Sequence, residues 1–248
     1  MKRRFFPALF LLCLPLASLA AEISVLSAGA VEPGIVAFAQ RVKSELGHDL
    51  KIQFNTAPQI GRRLAAGESY DLLISPPAVI DQAIQEGKAV AAGRTLVGRV
   101  GVGIVVRTTA AAPRVDSVET LQKALQAANS VVYNSASTGL YLDRLFARWG
   151  ILEALKPKST RYPDGASVME HVIRGQGAEI GFGAITEIGL YTAKGLKYLG
   201  PLPAEAQNYT TYDATMMRGA HHPEAVAEVL KLLASPSIRA LFAAAGMD

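Results

Sequence analysis

Val131-Val132-Tyr133-Asn134-Ser135-Ala136-Ser137-Thr138-Gly139-Leu140-Tyr141-Leu142 is a β-rich run that passes into small hydroxyl residues, a glycine and then a helical apolar pattern. The order predicts a strand, a tight loop and a helix start. A helix that begins on Ser, Thr and Gly points its first unpaired N–H groups outward, with the positive end of the helix dipole behind them, and such a turn is a place for an anion. The same grammar recurs in Ile23-Ser24-Val25-Leu26-Ser27-Ala28-Gly29-Ala30-Val31 and again in Phe54-Asn55-Thr56-Ala57-Pro58-Gln59-Ile60-Gly61. Three such turns predict one site assembled from several helix ends.

Outward from these turns, strand-like runs alternate with amphipathic helices. The pattern predicts a strand at 22–27, a helix near 33–46, a strand at 50–54, a helix at 58–66 and a buried strand over Asp71-Leu72-Leu73-Ile74-Ser75. A long β-rich run, Gly98 to Arg107, is placed to cross between two lobes, and Ala110-Ala111-Ala112-Pro113 reads as a linker-like break. A second unit follows: a helix at 117–127, the Val131 strand, helices at 139–148 and 166–174 around a loop from Pro157 to Asp164, and a strand from Glu179 to Ala184. Tyr209 to Met217 alternates like a strand returning to the first lobe, and His222-Pro223 opens a closing helix with proline in its first turn. The expected fold is therefore α/β, with mostly parallel sheets flanked by helices and ligands held at the carboxyl ends of the strands. The expected division is residues 1–20 as a signal peptide, 21–106 with 209–248 as lobe 1, and 107–208 as lobe 2.

The N-terminus carries the export signal. Lys2, Arg3 and Arg4 form a basic head, Phe5 to Leu16 is largely apolar, and Ser18-Leu19-Ala20 precede Ala21 with small residues at the cleavage positions. The apolar run is well short of the ~20 residues that span a bilayer. Leu12 before Cys13 does not suit lipid attachment, so the expected product is a periplasmic protein with no stable membrane insertion. Three of the 25 basic residues and none of the 21 acidic ones leave with that segment, and the formal charge falls from +4 to about +1. Such a balance offers no electrostatic case for nucleic acid. Cys13 is the single cysteine, so the mature chain has no disulfide, thiolate metal site or cysteine nucleophile, and it must rest on its apolar core.

Other chemistries find little support. His48, His171, His221 and His222 lack the spacing that sets two imidazoles on one helical face, so no metal site is expected. There is no Gly-x-Ser-x-Gly elbow and no phosphate loop, and the Gly-x-Gly pairs at 101–103 and 181–183 lie inside strand patterns, where they permit close packing. No cofactor is expected. The candidate ligand contacts are Ser27, Ala28, Gly29 and Ala30 in the first turn, Thr56, Ala57 and Pro58 in the second, and Ser135, Ser137, Thr138 and Gly139 in the third. Ala166 and Ser167 at a further helix start, Ala184 after the last strand of lobe 2, and Tyr212 complete the set. Arg62, Arg63 and Tyr141 are weighed against plain surface or core roles. Glu170, Glu187 and Asp213 are the carboxylates considered for proton transfer.

The opening Ser27-Ala28-Gly29-Ala30, the helix-strand pair Arg63-Leu64-Ala65-Ala66-Gly67 to Asp71-Leu72-Leu73-Ile74-Ser75, and the close from Pro223-Glu224-Ala225 to Leu233-Ala234-Ser235-Pro236 form a set. Together with the signal peptide they resemble the periplasmic solute-binding proteins of ABC transporters, in the molybdate-binding branch. The resemblance covers the whole mature chain. It implies a two-lobed, type II binding protein with a cleft at the hinge, a small anionic ligand, an ABC permease as partner and a monomeric state. Molybdate-binding relatives place a serine hydroxyl in the first loop and a tyrosine after the last strand of the second lobe. Ala30 and Ala184 stand at those positions here, and Thr56-Ala57-Pro58 replaces a serine-rich turn. A larger organic anion fits this pattern better than molybdate, while Ser27 and Thr186 are neighbouring hydroxyls that could supply the missing donors and keep an oxyanion open.

Tyr133 to Leu142 and Leu199-Gly200-Pro201-Leu202-Pro203-Ala204-Glu205-Ala206-Gln207 also resemble, more loosely, the bacterial aconitate isomerases built on the same architecture. This second resemblance implies a tricarboxylate substrate and a proton shift between two carbons, for which one base and several carboxylate-binding groups suffice. Binding without turnover and catalysis both remain open from the sequence.

Overall fold

The computed structural model describes residues 20–248, so the signal peptide expected at 1–20 lies outside them apart from its last residue. The chain runs β1 (Glu22–Ala28), a 3-10 turn (Gly29–Val31), α1 (Glu32–Leu46), β2 (Asp49–Asn55), α2 (Ala57–Ala65), β3 (Leu72–Ser75), α3 (Pro77–Gln85) and the long β4 (Thr95–Arg107). There follow α4 (Val118–Ala127), β5 (Ser130–Asn134), α5 (Ser137–Arg148), α6 (Leu152–Leu155), β6 (Ser159–Tyr162), α7 (Gly165–Arg174), β7 (Glu179–Ala184), α8 (Ile185–Gly189) and β8 (Leu196–Pro201). The chain closes with β9 (Tyr209–Met216), α9 (Pro223–Leu233) and α10 (Pro236–Ala244).

Two parallel sheets form the lobes. β1 lies between β2 and β3 in one, and β5 lies between β6 and β7 in the other. β4 joins them: its first half pairs antiparallel with β9, and its second half with β7 and β8. The resulting order is β2-β1-β3-β9-β4-β7-β5-β6, with β8 on β4. β3 and β7 are buried along their whole length, as expected of strands covered on both faces. The cores divide along β4. Val100 packs with Ile23, Phe38, Ile74 and Val229 in the first lobe, whereas Val102 packs with Val131, Tyr133, Phe146 and Phe182 in the second. Strand alternation supplies the opposite face of the second lobe, where Val105 and Val132 meet Val168, Met169 and Ile188.

The Gly-x-Gly strand pairs let helices approach the sheet. A Cβ on Gly183 would fall 2.2 Å from Cε of Met169 in α7, and one on Gly103 would fall 2.6 Å from Cδ1 of Ile188 in α8. These glycines set how closely α7 and α8 approach the sheet.

The stretch expected as a loop from Pro157 to Asp164 contains β6. This strand is four residues long at the sheet edge, with Arg161 exposed, and its backbone pairing with β5 supplies what its side chains do not announce. α3, β8 and α10 are further elements that local pattern did not single out. α3 begins behind Pro76-Pro77, where proline masks a helix start although it suits that position. Among the described residues no helix is long and apolar enough to cross a membrane.

Candidate anion-binding cleft

Four helix starts converge between the lobes. The cleft is lined by Ala28, Gly29 and Ala30 before α1, by Asn55, Thr56 and Ala57 at α2, and by Pro76 at α3. Asn134, Ala136, Ser137 and Thr138 at α5, then Ala184, Glu187 and Tyr212, complete the wall. No lysine, arginine or histidine belongs to this lining, so the donors it offers an anion are backbone N–H groups at helix ends and hydroxyls.

The α5 start shows how the donors are kept free. Its N-cap is Ala136, which has no side chain to cap with. Asn134 takes over: its Oδ1 accepts from the N–H of Ala136 at 3.0 Å and of Gly139 at 3.2 Å. The N–H groups of Ser137 and Thr138, the first two of α5, have no carbonyl one turn behind them. Among the described residues no partner takes these N–H groups or the two hydroxyls. Gly139 is required by the same turn, since a Cβ there would fall on the carbonyl oxygen of Asn134, 1.6 Å away. At α2 the hydroxyl and the N–H of Thr56 both donate to Oε1 of Gln59, at 3.0 and 2.7 Å, which leaves the N–H of Ala57 as the free group.

Glu187 is the one carboxyl in the lining. Its half-buried side chain sits between two glycine backbones, one from each lobe. A Cβ on Gly165 would lie 2.3 Å from Oε2, and one on Gly29 would lie 3.3 Å from Oε1. Burial pushes its pKa up to about 7, and the negative charges of Glu32 and Asp164 push the same way. Burial likewise raises the pKa of the Tyr212 phenol, and the charge of Glu187 adds to this, so Tyr212 stays a neutral O–H donor.

Of the residues singled out from sequence, Ala28, Gly29, Ala30, Thr56, Ala57, Ser137, Thr138, Ala184 and Tyr212 are brought together at the cleft. Ser27 is fully buried and its hydroxyl donates to the carbonyl of Ala28, and Thr186 donates to the carbonyl of Ala30. Neither supplies a free donor to the cleft. Ser135 is exposed and gives its N–H to the carbonyl of Tyr162, and Pro58, Ala166 and Ser167 stand outside the lining. Arg63 pairs with Glu68, Tyr141 donates to the carbonyl of Ala206, Glu170 pairs with Arg174, and Asp213 pairs with Arg94. Asn55, Pro76, Asn134 and Ala136 were not singled out. Asn134 carried a signal all the same, since asparagine at a strand end before a helix is a common turn acceptor.

Two lobes joined by β4 and β9, with helix ends facing a shared cleft, define the architecture of the periplasmic binding proteins. The chain belongs to the family of bacterial extracellular solute-binding proteins, which it matches over residues 23–248. An aconitate isomerase from Pseudomonas sp. is 29% identical over 221 residues, covering 86% of this chain and 82% of that protein. Among solved structures, the periplasmic molybdate-binding protein of Azotobacter vinelandii superposes with a TM-score of 0.75 at 16% identity, over 91% of this chain and 98% of that one. The sulfate-binding protein SubI of Mycobacterium tuberculosis gives 0.73 at 15% identity, over 92% and 86%. At these identities the structures establish the fold.

Proposed function

We propose that the protein captures a small organic polycarboxylate in the interlobe cleft. The observation that carries this reading is the combination of free helix-end donors at Ser137 and Thr138 with hydroxyl-free walls at Ala30 and Ala184. A tetrahedral oxyanion needs donors on every side, and a buried acceptor left without one costs about 1–3 kcal/mol. A carboxylate can take its donors at one helix end while its carbon skeleton lies on alanine. The absence of Ser27 and Thr186 from the donor set supports the same ligand class. Export through a cleaved signal peptide, with Ala21 as the mature N-terminus, and delivery to an ABC permease by a monomer complete the proposal. N-terminal sequencing of the exported protein tests the first part, and an intact Met1 terminus overturns it.

A second reading, isomerisation of aconitate in the same cleft, is favoured by the 29% identical relative and by a carboxyl that titrates near neutrality within the lining. Thermal denaturation with citrate, cis-aconitate, trans-aconitate, molybdate and sulfate tests ligand class, because a ligand that binds only the folded protein raises Tm. A large shift with a polycarboxylate and little with molybdate is expected. The reverse result overturns the proposal. Proton NMR of bound-competent protein with either aconitate isomer then separates capture from turnover.

A further inference from the structure

Resting on the isomerase reading, we propose that Glu187 is the catalytic acid–base residue, carrying a proton between the two outer carbons of the allyl unit of an aconitate-like tricarboxylate, and that it does so only in the closed cleft. The position is specific. Glu187 is the one carboxyl among the residues lining the cleft, and its two oxygens are each set against a backbone that has no Cβ, Gly165 from the second lobe and Gly29 from the first. A side chain at either glycine would displace it or crowd it. The helix that carries it is tied across the lobes by the adjacent residue, whose hydroxyl donates to the carbonyl of Ala30.

The titratable groups around it come from four elements. Glu32 opens α1 in the first lobe, Asp164 precedes α7, Tyr191 follows α8 and Tyr212 lies on β9. The two charges that act on Glu187 are both negative and favour its protonated form, and only a backbone hydrogen bond from Ala184 favours the carboxylate. Opening the lobes withdraws Gly29 and Glu32 and admits water, which returns Glu187 to an ordinary, weakly basic carboxylate. Closure over the substrate is what makes it a base.

The step balances within the substrate and this one side chain. A Glu187 oxygen takes the proton of the methylene carbon next to a carboxylate, the C–H electron pair enters the neighbouring π system, and the double bond shifts by one carbon. The resulting carboxylic acid returns the proton to the former vinylic carbon. Both outer carbons carry a carboxylate, so the product has the same connectivity. Its alkene geometry follows from the conformation held at the moment of return. The N–H groups of Ser137 and Thr138 are placed to take the carboxylate on which negative charge builds. No oxidant, reductant or second reactant is needed.

The test uses the full mature protein with cis- or trans-aconitate in buffered D2O, followed by proton NMR, beside calorimetric binding of the same compound. The wild type is expected to interconvert the isomers with deuterium entering the methylene group, and its kcat, which reports the closed complex, is expected to rise with pH through the neutral range. Glu187→Gln is expected to bind aconitate within tenfold of wild type and to lose turnover by at least a thousandfold. Glu187→Asp is expected to retain a small fraction of the rate. Glu187→Gln that turns over within tenfold of wild type, or a kcat flat from pH 5.5 to 8.5, overturns the assignment of Glu187 while leaving the isomerase reading in place. A wild type that binds aconitate and neither isomerises nor deuterates it overturns that reading and this inference together.

Discussion

The Thr186 hydroxyl donates to the carbonyl oxygen of Ala30 at 2.5 Å, joining α8 of the second lobe to the first helix-start loop of the other. Thr186 is buried, and its bond stands one residue from Glu187 and directly beside the cleft wall. It is a clasp between two segments that line the cleft. Thr186→Val keeps the shape and removes the donor, leaving the Ala30 carbonyl without a partner. That loss costs about 1–3 kcal/mol where the acceptor stays buried. Because opening the lobes exposes the carbonyl to water, the cost falls on the closed form. The expected result is a ligand affinity reduced about tenfold, measured by calorimetry, with far-UV circular dichroism checking that the variant is folded.

Ser137 occupies the first position of α5, after an N-cap alanine, and the capping bonds of that turn are made by Asn134. Its hydroxyl is therefore not needed to start the helix. Ser137→Ala should weaken polycarboxylate binding by roughly 0.5–3 kcal/mol, the range for a hydrogen bond to a charged group. Unfolding stability should change by under about 0.5 kcal/mol, as for other sites that remove no cap or core contact. Titration calorimetry and urea unfolding on the same variant check both halves. A loss of stability with unchanged affinity would place Ser137 in the scaffold.

Much of this arrangement is legible before any coordinates. The strand-to-helix turns at Ala28-Gly29, Thr56-Ala57 and Ser137-Thr138 are local features, built from small and hydroxyl residues at strand ends, and all three meet at the cleft. Glu187 is different. It sits in a five-residue helix, and nothing in Ile185-Thr186-Glu187 separates it from Glu170, which is paired with Arg174 on the surface. What distinguishes Glu187 is the pair of glycines, at 29 and 165, brought to it from other parts of the chain. Such a long-range arrangement leaves no local pattern. The same holds for β6, whose strand character comes from its neighbour β5.

Gly139 is fixed by a steric argument stronger than any preference for glycine in turns. Its added Cβ would lie 1.6 Å from the Asn134 carbonyl oxygen and 2.8 Å from the carbonyl carbon, both backbone atoms that cannot rotate away. Gly139→Ala must push α5 off the end of β5, and with it the bond from the Gly139 N–H to Asn134 Oδ1. A destabilisation of about 1–3 kcal/mol is expected, in line with overpacking of a close-packed site. Ligand binding should be lost even where the protein remains folded, because Ser137 and Thr138 move with the helix. Chemical denaturation and calorimetry on the variant decide the point; affinity equal to wild type would show that α5 does not hold the anion.

Burial of Glu187 also predicts how stability varies with pH. Its pKa rises from 4.5 to about 7 on folding, so the native state binds this proton more tightly than the unfolded chain. Below pH 4.5 both states are protonated and the residue carries no penalty. As pH rises toward 7, the unfolded chain releases the proton while the native state keeps it, and stability falls by up to about 1.4 kcal/mol per pH unit. Above about 7 both are ionised and the penalty is constant. Glu187→Gln cannot ionise, so it should become the more stable protein as pH increases, gaining roughly 1–3 kcal/mol on wild type between pH 4.5 and 8. Urea unfolding of the two proteins at pH 4.5, 6 and 8 measures that difference. A gap that stays constant with pH would mean that Glu187 is hydrated in the native protein, with the cleft open around it.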